Sequence, residues 1–401
     1  MEKTWVKIPE VLFFQEGPGV RNTQYTTEGV KLLNVANLVE GKVDLSTSDR
    51  YISESEAYRK YRHFLCDVGD FVVASSGIKV DYIDKKMGFI DESMLPLCMN
   101  TSTIRFKVLD ENRLRIRYFM YYLKSRHFKQ QLFREITGSA QLNYGPSHLK
   151  KMSIPLINIK KQDEIIACMD VIQSITEMCK QELKKYDELI KARFVEMFGD
   201  SKLNDKCWNS GIVSDYYDVK GGKRIPKGMG YADEVTSHPY LRATDMKNET
   251  ILDDDIHYIN EEVFEHIKRY IVKGGDIYLT NVGVNLGMAG VIPDKYNGAN
   301  LTENAVKLMP KTKKIINGVF LAHYINSPGI QDYINARKMS VGVPKLAIFR
   351  IETLPLLIPP IELQNQFAAF VAEVDKSKVA VQKALDETQT LFDSLMQEYF
   401  G

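Results

Sequence analysis

From Ile165 onward, mostly apolar residues recur at alternating spacings of four and three: Ile165, Met169, Ile172, Thr176, Cys179, Leu183, Tyr186, Ile190, Arg193, Met197. A second series, Phe367, Val371, Val374, Lys378, Val381, Leu385, Thr388, Phe392, Leu395, Tyr399, repeats it with every member 202 residues later. A 3.5-residue period sustained over more than four heptads predicts a coiled-coil seam rather than an ordinary surface helix. Thr176, Arg193 and Lys378 interrupt the seam and can set its register. A proline-bearing apolar connector precedes each series, Ile154-Pro155-Leu156-Ile157 and Leu356-Leu357-Ile358-Pro359-Pro360. Proline tolerates helix starts and breaks what comes before them. A helix of about 38 residues would be about 57 Å long. Two such helices from one chain most simply pair antiparallel, holding apart the parts that precede them.

Those parts pattern differently. Phe71-Val72-Val73-Ala74 and Ile277-Tyr278-Leu279-Thr280 are short apolar runs after Gly-Asp turns, which predicts strands. Lys31–Val35 and Tyr240–Ala243 are similar. Short helices are predicted over Tyr118–Gln131 and Val319–Ala336. Each front part is therefore mixed α and β, about 150 residues, and large enough for its own core.

The two halves align as a repeat. At an offset of 202, Gln162 pairs with Gln364, Ile104 with Val306, Tyr122 with Tyr324, and Ser125 with Ser327. Small insertions shift the offset to 206 near Gly77 and Gly283, 207 at Tyr51 and Tyr258, and 208 at Leu33 and Leu241. Two copies of this length are not a solenoid. They predict an α+β chain of two duplicated, mixed α/β domains, separated by two long helices that pair as an antiparallel coiled coil, with pseudo-two-fold symmetry. The expected divisions are 1–155 and 205–357 for the globular domains, and 156–199 and 358–401 for the helices. Identity between the copies is regular in the helical tails and low in the fronts, as expected if the tails are structural and the fronts read something variable. The only tryptophans, Trp5 and Trp208, lie near the start of each copy.

Composition adds exclusions. The 401 residues carry a formal net charge of +1, with 44% hydrophobic and 26% charged side chains, ordinary for a globular protein. No apolar run reaches membrane-spanning length, and no signal-peptide pattern opens the chain. The five cysteines form no C-x-x-C pair, which argues against a zinc ribbon or disulfide framework and for a cytoplasmic location. Charge is uneven: residues 1–155 carry 23 basic and 18 acidic side chains, whereas 358–401 carry 3 and 7. A phosphate-binding role would fall to the globular parts, and spacing or protein contacts to the helices.

Catalytic patterns are missing. Gly41-Lys42 and Gly222-Lys223 lack the Ser/Thr of a P-loop; no H-E-x-x-H or G-x-S-x-G occurs; the one Pro-Pro step sits in a connector. Pro293-Asp294 followed by Glu303 lacks the Glu-x-Lys that would complete a nuclease site. His63, His148 and His257 have no partner at metal spacing. The expectation is a non-catalytic chain with no catalytic and no metal site.

Glycine-rich, basic or amide-bearing loops occupy matched places in both copies. Arg21, Asn22 and Thr23 follow Gly17-Pro18-Gly19, and Lys220, Lys223, Arg224 and Lys227 surround Gly221-Gly222. Ser75, Ser76 and Lys79 match Asn281 and Asn285. Ser139, Gln141, Asn143 and Tyr144 match Ser340 and Lys345. Glycine lets backbone approach a phosphate, Arg and Lys neutralise phosphates or pair with guanine, and Asn and Gln suit adenine. Any one of these could be a solvated turn; as a matched set they point to DNA.

At this point the chain resembles the specificity (S) subunit of Type I restriction–modification systems. The carrying residues are Ile154-Pro155-Leu156 through Gln162 and Leu356 through Ile361-Glu362-Leu363-Gln364, which look like the family's approach to a conserved helix. Tyr240-Leu241-Arg242-Ala243-Thr244-Asp245-Met246 and Lys31 through Asn37 look like its strand leaving the first loop. The resemblance covers essentially the whole chain, and its most specific feature is the duplicated order of domain and helix. It implies two target recognition domains, each reading half of a split, asymmetric sequence in double-stranded DNA. The helices would set the gap and dock methyltransferase subunits, two per chain, with motor-nuclease subunits joining through the complex. S-adenosylmethionine, ATP and Mg would sit on those partners, and this chain would hold no cofactor and meet no membrane. Lys160-Lys161 in place of Glu362-Leu363 leaves docking on the first helix less well matched. A non-DNA-binding cytoplasmic coiled-coil scaffold, or the S subunit of a fused methylase–nuclease system, are the competing expectations.

Overall fold

The computed structural model describes residues 3–136, 142–312, 315–339 and 342–401. The chain forms two compact units. One comprises Met1–Lys180 with Lys383–Gly401, the other Gln181–Gln382. Each unit thus joins a globular part to a half of each long helix, a grouping that cuts across the linear division of the chain.

In the first unit, a fully antiparallel four-stranded sheet runs in the order Leu12–Glu16, Thr103–Val108, Phe71–Ala74, Met87–Phe89. The Phe71–Ala74 run is apolar throughout because both its faces are covered. Phe71 and Val73 enter the main core, and Val72 and Ala74 a smaller one behind it. That smaller layer lies against a three-stranded sheet in which Val30–Leu33 pairs parallel with Leu97–Met99 and antiparallel with Tyr51–Ile52.

The second unit repeats this plan. Its four-stranded order is Tyr217–Gly221, Ala305–Pro310, Ile277–Thr280, Ala289–Val291, and Pro239–Leu241 pairs parallel with Asn300–Leu301 and antiparallel with His257–Tyr258. The registers agree with the sequence offsets. Ile104 faces Val73 in one unit and Val306 faces Leu279 in the other. Leu33 faces Met99, and Leu241 faces Leu301.

Two expectations change. Each single predicted helix is two: Ile116–Lys124 and Arg126–Glu135, Gly318–Ile325 and Pro328–Arg337. The break falls at Ser125 and Ser327, whose extended backbone starts a new helix. The Ser125 hydroxyl accepts the Phe128 N–H, and Pro328 pre-sets the first turn. The proline-bearing connectors are strands: Ser153–Leu156 pairs antiparallel with Thr4–Lys7, and Pro355–Ile358 with Asn209–Ile212. In a two-stranded ladder a proline can present its N–H-less side outward. The two tryptophans, each near the start of its copy, sit in different surroundings. Trp5 lies within its strand, against His127, whereas Trp208 precedes its strand and donates to the Phe198 carbonyl.

The long helices are Ile159–Phe198 and Ile361–Phe400. Every position of both heptad series is buried or half-buried, while most positions between them are exposed. In the first unit, Ile165 and Met169 share the main core with Met396 and Phe400; Ile172 is also buried. In the second, Ile190, Phe194 and Phe198 share it with Phe367, Val371 and Val374. Leu183, Val381, Leu385 and Phe392 are half-buried. Lys378 is held by Asp187 at 2.7 Å and Arg193 by Glu196 at 2.8 Å, so two interruptions of the series carry ion pairs.

Each helix is locked to its globular part by a buried glutamine. Gln162 donates to the carbonyls of Arg113 and Ile157 and accepts the Arg115 N–H. Gln364, 202 residues later, donates to Ile315 and Pro359 and accepts the Asn317 N–H. No helix is long and apolar enough to cross a membrane among the described residues.

Candidate nucleic-acid interface

In each unit one end of the four-stranded sheet gathers the loops singled out by sequence. In the first unit, Ser76–Ile78 continues from the strand Phe71–Ala74 and pairs antiparallel with Leu142–Asn143. The Tyr144 N–H bonds to the Ser75 carbonyl at 3.0 Å. Glu16, which ends the outer strand Leu12–Glu16, lies beside Gly145, where a Cβ would stand 3.2 Å from its carboxylate, and the Arg21–Gln24 loop leaves from that strand. Burial pushes the Glu16 carboxyl above its ordinary range.

The second unit closes its loops in the same way. Val282 bridges Lys345, the Gly283 N–H bonds to the Pro344 carbonyl, and the Leu346 N–H to the Asn281 carbonyl. Backbone pairing at the end of the third strand therefore joins two segments more than sixty residues apart in both copies.

The predicted side chains divide sharply. Arg21, Asn22, Thr23, Lys79, Asn143, Lys220, Lys223, Arg224, Lys227 and Lys345 are exposed. Ser76 and Asn285 are half-buried. Ser75, Tyr144 and Asn281 are buried, and in this arrangement they form the floor of the loops and offer no surface to a groove. Burial drives the Tyr144 phenol far up, so it stays protonated. Ser139, Gln141 and Ser340 lie outside the described residues.

Two of the loop glycines serve the fold. A Cβ on Gly17 would stand 2.2 Å from the Asn100 carbonyl oxygen, and one on Gly222 2.0 Å from that of Thr302. These glycines let two pieces of backbone meet; the space a phosphate would need is already filled. Gly77 and Gly283 differ: both have positive φ and open space around them, which leaves their loops able to receive a ligand.

Charge is also sorted. Arg224 is exposed but pairs with Glu303 at 2.6 Å, which offsets its charge. Lys223 lies over the Tyr270 ring. Lys79 stands with Lys85, Lys86 and the exposed Tyr82 around an open cleft also lined by Val39 and Glu40. Of these, Lys79 is named by the sequence pattern and Tyr82, Lys85 and Lys86 are not, although Lys79-Val80-Asp81-Tyr82-Ile83-Asp84-Lys85-Lys86 interleaves basic residues with an aromatic. Among the described residues, no three His, Cys, Asp or Glu side chains gather as a metal site.

The Type I restriction modification DNA specificity domain matches this chain twice, over residues 40–185 and 206–388. The chain belongs to that family. Its two matches fall on the two copies of the repeat and together cover most of the chain. Among relatives, the Type I restriction enzyme MjaVIII specificity subunit of Methanocaldococcus jannaschii is 24% identical over 208 residues, 51% of this chain. The match spans 47% of that relative's length. Two solved structures share the fold. The S subunit of a Type I restriction–modification system from M. genitalium aligns with a TM-score of 0.56 at 16% identity, covering 100% of this chain and 96% of that one. A chain from a structure describing complex assembly and conformational transition of the type I R-M system aligns with a TM-score of 0.56 at 14% identity, covering 99% and 97%. The mixed α/β architecture of this specificity-domain protein is thus that of S subunits.

Proposed function

We propose that this chain is the DNA-binding specificity subunit of a Type I restriction–modification complex, with each globular part reading one half of a bipartite, asymmetric target. The observation that carries this reading is the matched loop edge. The same backbone pairing, at the same sheet position, presents exposed Lys79 and Asn143 in one unit and Lys345 with the Lys220–Lys227 loop in the other. Different side chains on one scaffold are what two different half-sites require.

The long helices act as the spacer. Start-of-one and end-of-other residues share a core in each unit, Ile165 with Met396 and Ile190 with Phe367, which supports antiparallel pairing and pseudo-two-fold symmetry. At 1.5 Å per residue each helix is about 60 Å long, enough to hold readers one to one and a half DNA turns apart. On this reading, the helices also dock two methyltransferase subunits, and motor-nuclease subunits join through the complex. S-adenosylmethionine serves the methyltransferase partners, and ATP and Mg the motor-nuclease; the chain itself catalyses nothing.

The test is selection from random duplex pools with the chain in complex with its methyltransferase subunit, alongside methylome sequencing of the host. One split methylated motif, matching the selected sequence, is the expected result. A scaffold would select no split sequence, and methyl transfer by the isolated chain would overturn the non-catalytic reading.

A further inference from the structure

The surface of the first unit carries a basic element outside the loops discussed above. Residues Tyr58–His63 form a turn between the strand Tyr51–Ile52 and the bridge of Leu65 to Cys98. Arg59, Lys60, Arg62 and His63 are exposed, as is Tyr58 at 48%. Among the described residues, none of Arg59, Lys60 and Arg62 is paired with a carboxylate; Lys60 lies over the Tyr61 ring at 4.9 Å. Three cations are thus concentrated in four positions, while the nearby Glu54 and Glu56 make no ion pair with them among the described residues and Glu56 is taken up by Gln24.

The turn is held firmly from below. Ala57 and Tyr61 are buried in a core with Val20, Val30 and Ile52. The buried Arg105 donates at 2.7 Å to the carbonyls of both His63 and Leu65. Gln24 ties the turn to the Arg21–Gln24 loop by donating to Glu56 and to the Tyr61 hydroxyl. The exposed Arg21 therefore belongs to the same supported surface. Fixed cations meet a phosphate backbone with less loss of freedom than cations on a loose loop.

The second unit has the same scaffold with the opposite charge balance. Lys307, at the position of Arg105, donates to the Ile271 carbonyl, the counterpart of Leu65. Its turn, however, sets Glu261, Glu262 and Glu265 against two cations, Lys268, which pairs with Glu265 at 2.6 Å, and the exposed Arg269. Between strand and bridge, residues 53–64 carry a net charge of +1 and residues 259–270 a net charge of −1.

We propose that the Tyr58–His63 turn binds the phosphate backbone of duplex DNA, and that the two units therefore carry unequal shares of the salt-dependent affinity. This rests on the DNA-binding reading above. Each neutralised phosphate steepens the plot of log affinity against log salt by about 0.9. The experiment uses the full chain in its methyltransferase complex, with binding to its selected duplex and to a random-sequence duplex measured between about 50 and 200 mM salt. The combined Arg59→Gln, Lys60→Gln and Arg62→Gln variant should make the slope shallower by about 2–3 on both duplexes, with the selected half-sites unchanged. Arg59→Lys with Arg62→Lys should restore the slope, and Lys268→Gln should leave it as in the parent. An unchanged slope in the triple variant, or an equal loss from Lys268→Gln, overturns the proposal. A parent complex that binds the random duplex but selects no split sequence instead overturns the specificity reading, and leaves the slope to decide the phosphate contact.

Discussion

At the scale of single residues, packing decides what a residue type means. In the sequence Gly17 and Gly222 suggest room for phosphate, yet their missing side chains are room for a neighbouring carbonyl. Gly17→Ala and Gly222→Ala should each lower stability by about 1–3 kcal/mol through this overpacking, seen as a lower denaturation midpoint, whether or not DNA is present. A parental midpoint in either variant would contradict the close approach. His323 offers a second residue-scale test. Burial beneath the Phe367 ring holds its imidazole down at about 4, from an ordinary 6.5. The Asp375 carboxylate works the other way, and Lys378 adds to the depression. The folded state resists the proton that the unfolded state accepts, so this contribution is intact above about pH 6.5 and lost as pH falls toward 4. Between pH 7 and 5 the second unit should lose about 1–2 kcal/mol in urea unfolding, and His323→Gln should flatten that dependence.

At the scale of elements, the matched pairs in the tails have a common physical cause. Gln162 and Gln364 each satisfy two carbonyls and one N–H where a long helix leaves its connecting strand. Gln162→Leu should cost about 2–4 kcal/mol, since several buried polar groups lose their partner at once, and Gln364→Leu a similar amount in the other unit. Differential scanning calorimetry would show this as an early transition of the affected unit; a single unshifted transition would remove the glutamine from any locking role. The helix periodicity was legible in the sequence because a seam needs one spacing throughout. The breaks at Ser125 and Ser327 were not legible, because apolar residues continue on both sides and only the serine backbone turns away. The connector strands were hidden for a related reason: a proline-bearing run becomes a strand only when a distant segment, Thr4–Lys7 or Asn209–Ile212, supplies its partner.

At the scale of the whole molecule, the spacer reading makes a prediction that no single residue carries. Removing one heptad from the same place in both helices, Glu177–Leu183 and Val379–Leu385, keeps the seam in phase. It shortens each helix by about 10 Å, close to three base pairs along a duplex. Sequence selection should then return the same half-sites with a shorter gap. An unchanged gap would separate helix length from target geometry, and new half-sites would show that the helices take part in base reading.

The sequence by itself determined the duplication, the two heptad helices and the family, because repeats, periods and charge are properties of order along the chain. Even the shifting offsets, from 202 to 208, returned as matched strand registers. Tertiary structure decided which loop residues face outward. Lys79 and Tyr144 stand in equally plausible loops, yet one is exposed and the other buried. It also brought out the Tyr58–His63 turn, whose charge is ordinary in the sequence and becomes a surface only because Arg105 and Gln24 hold it from beneath. Burial and support depend on segments far apart in the chain, and no local pattern records them.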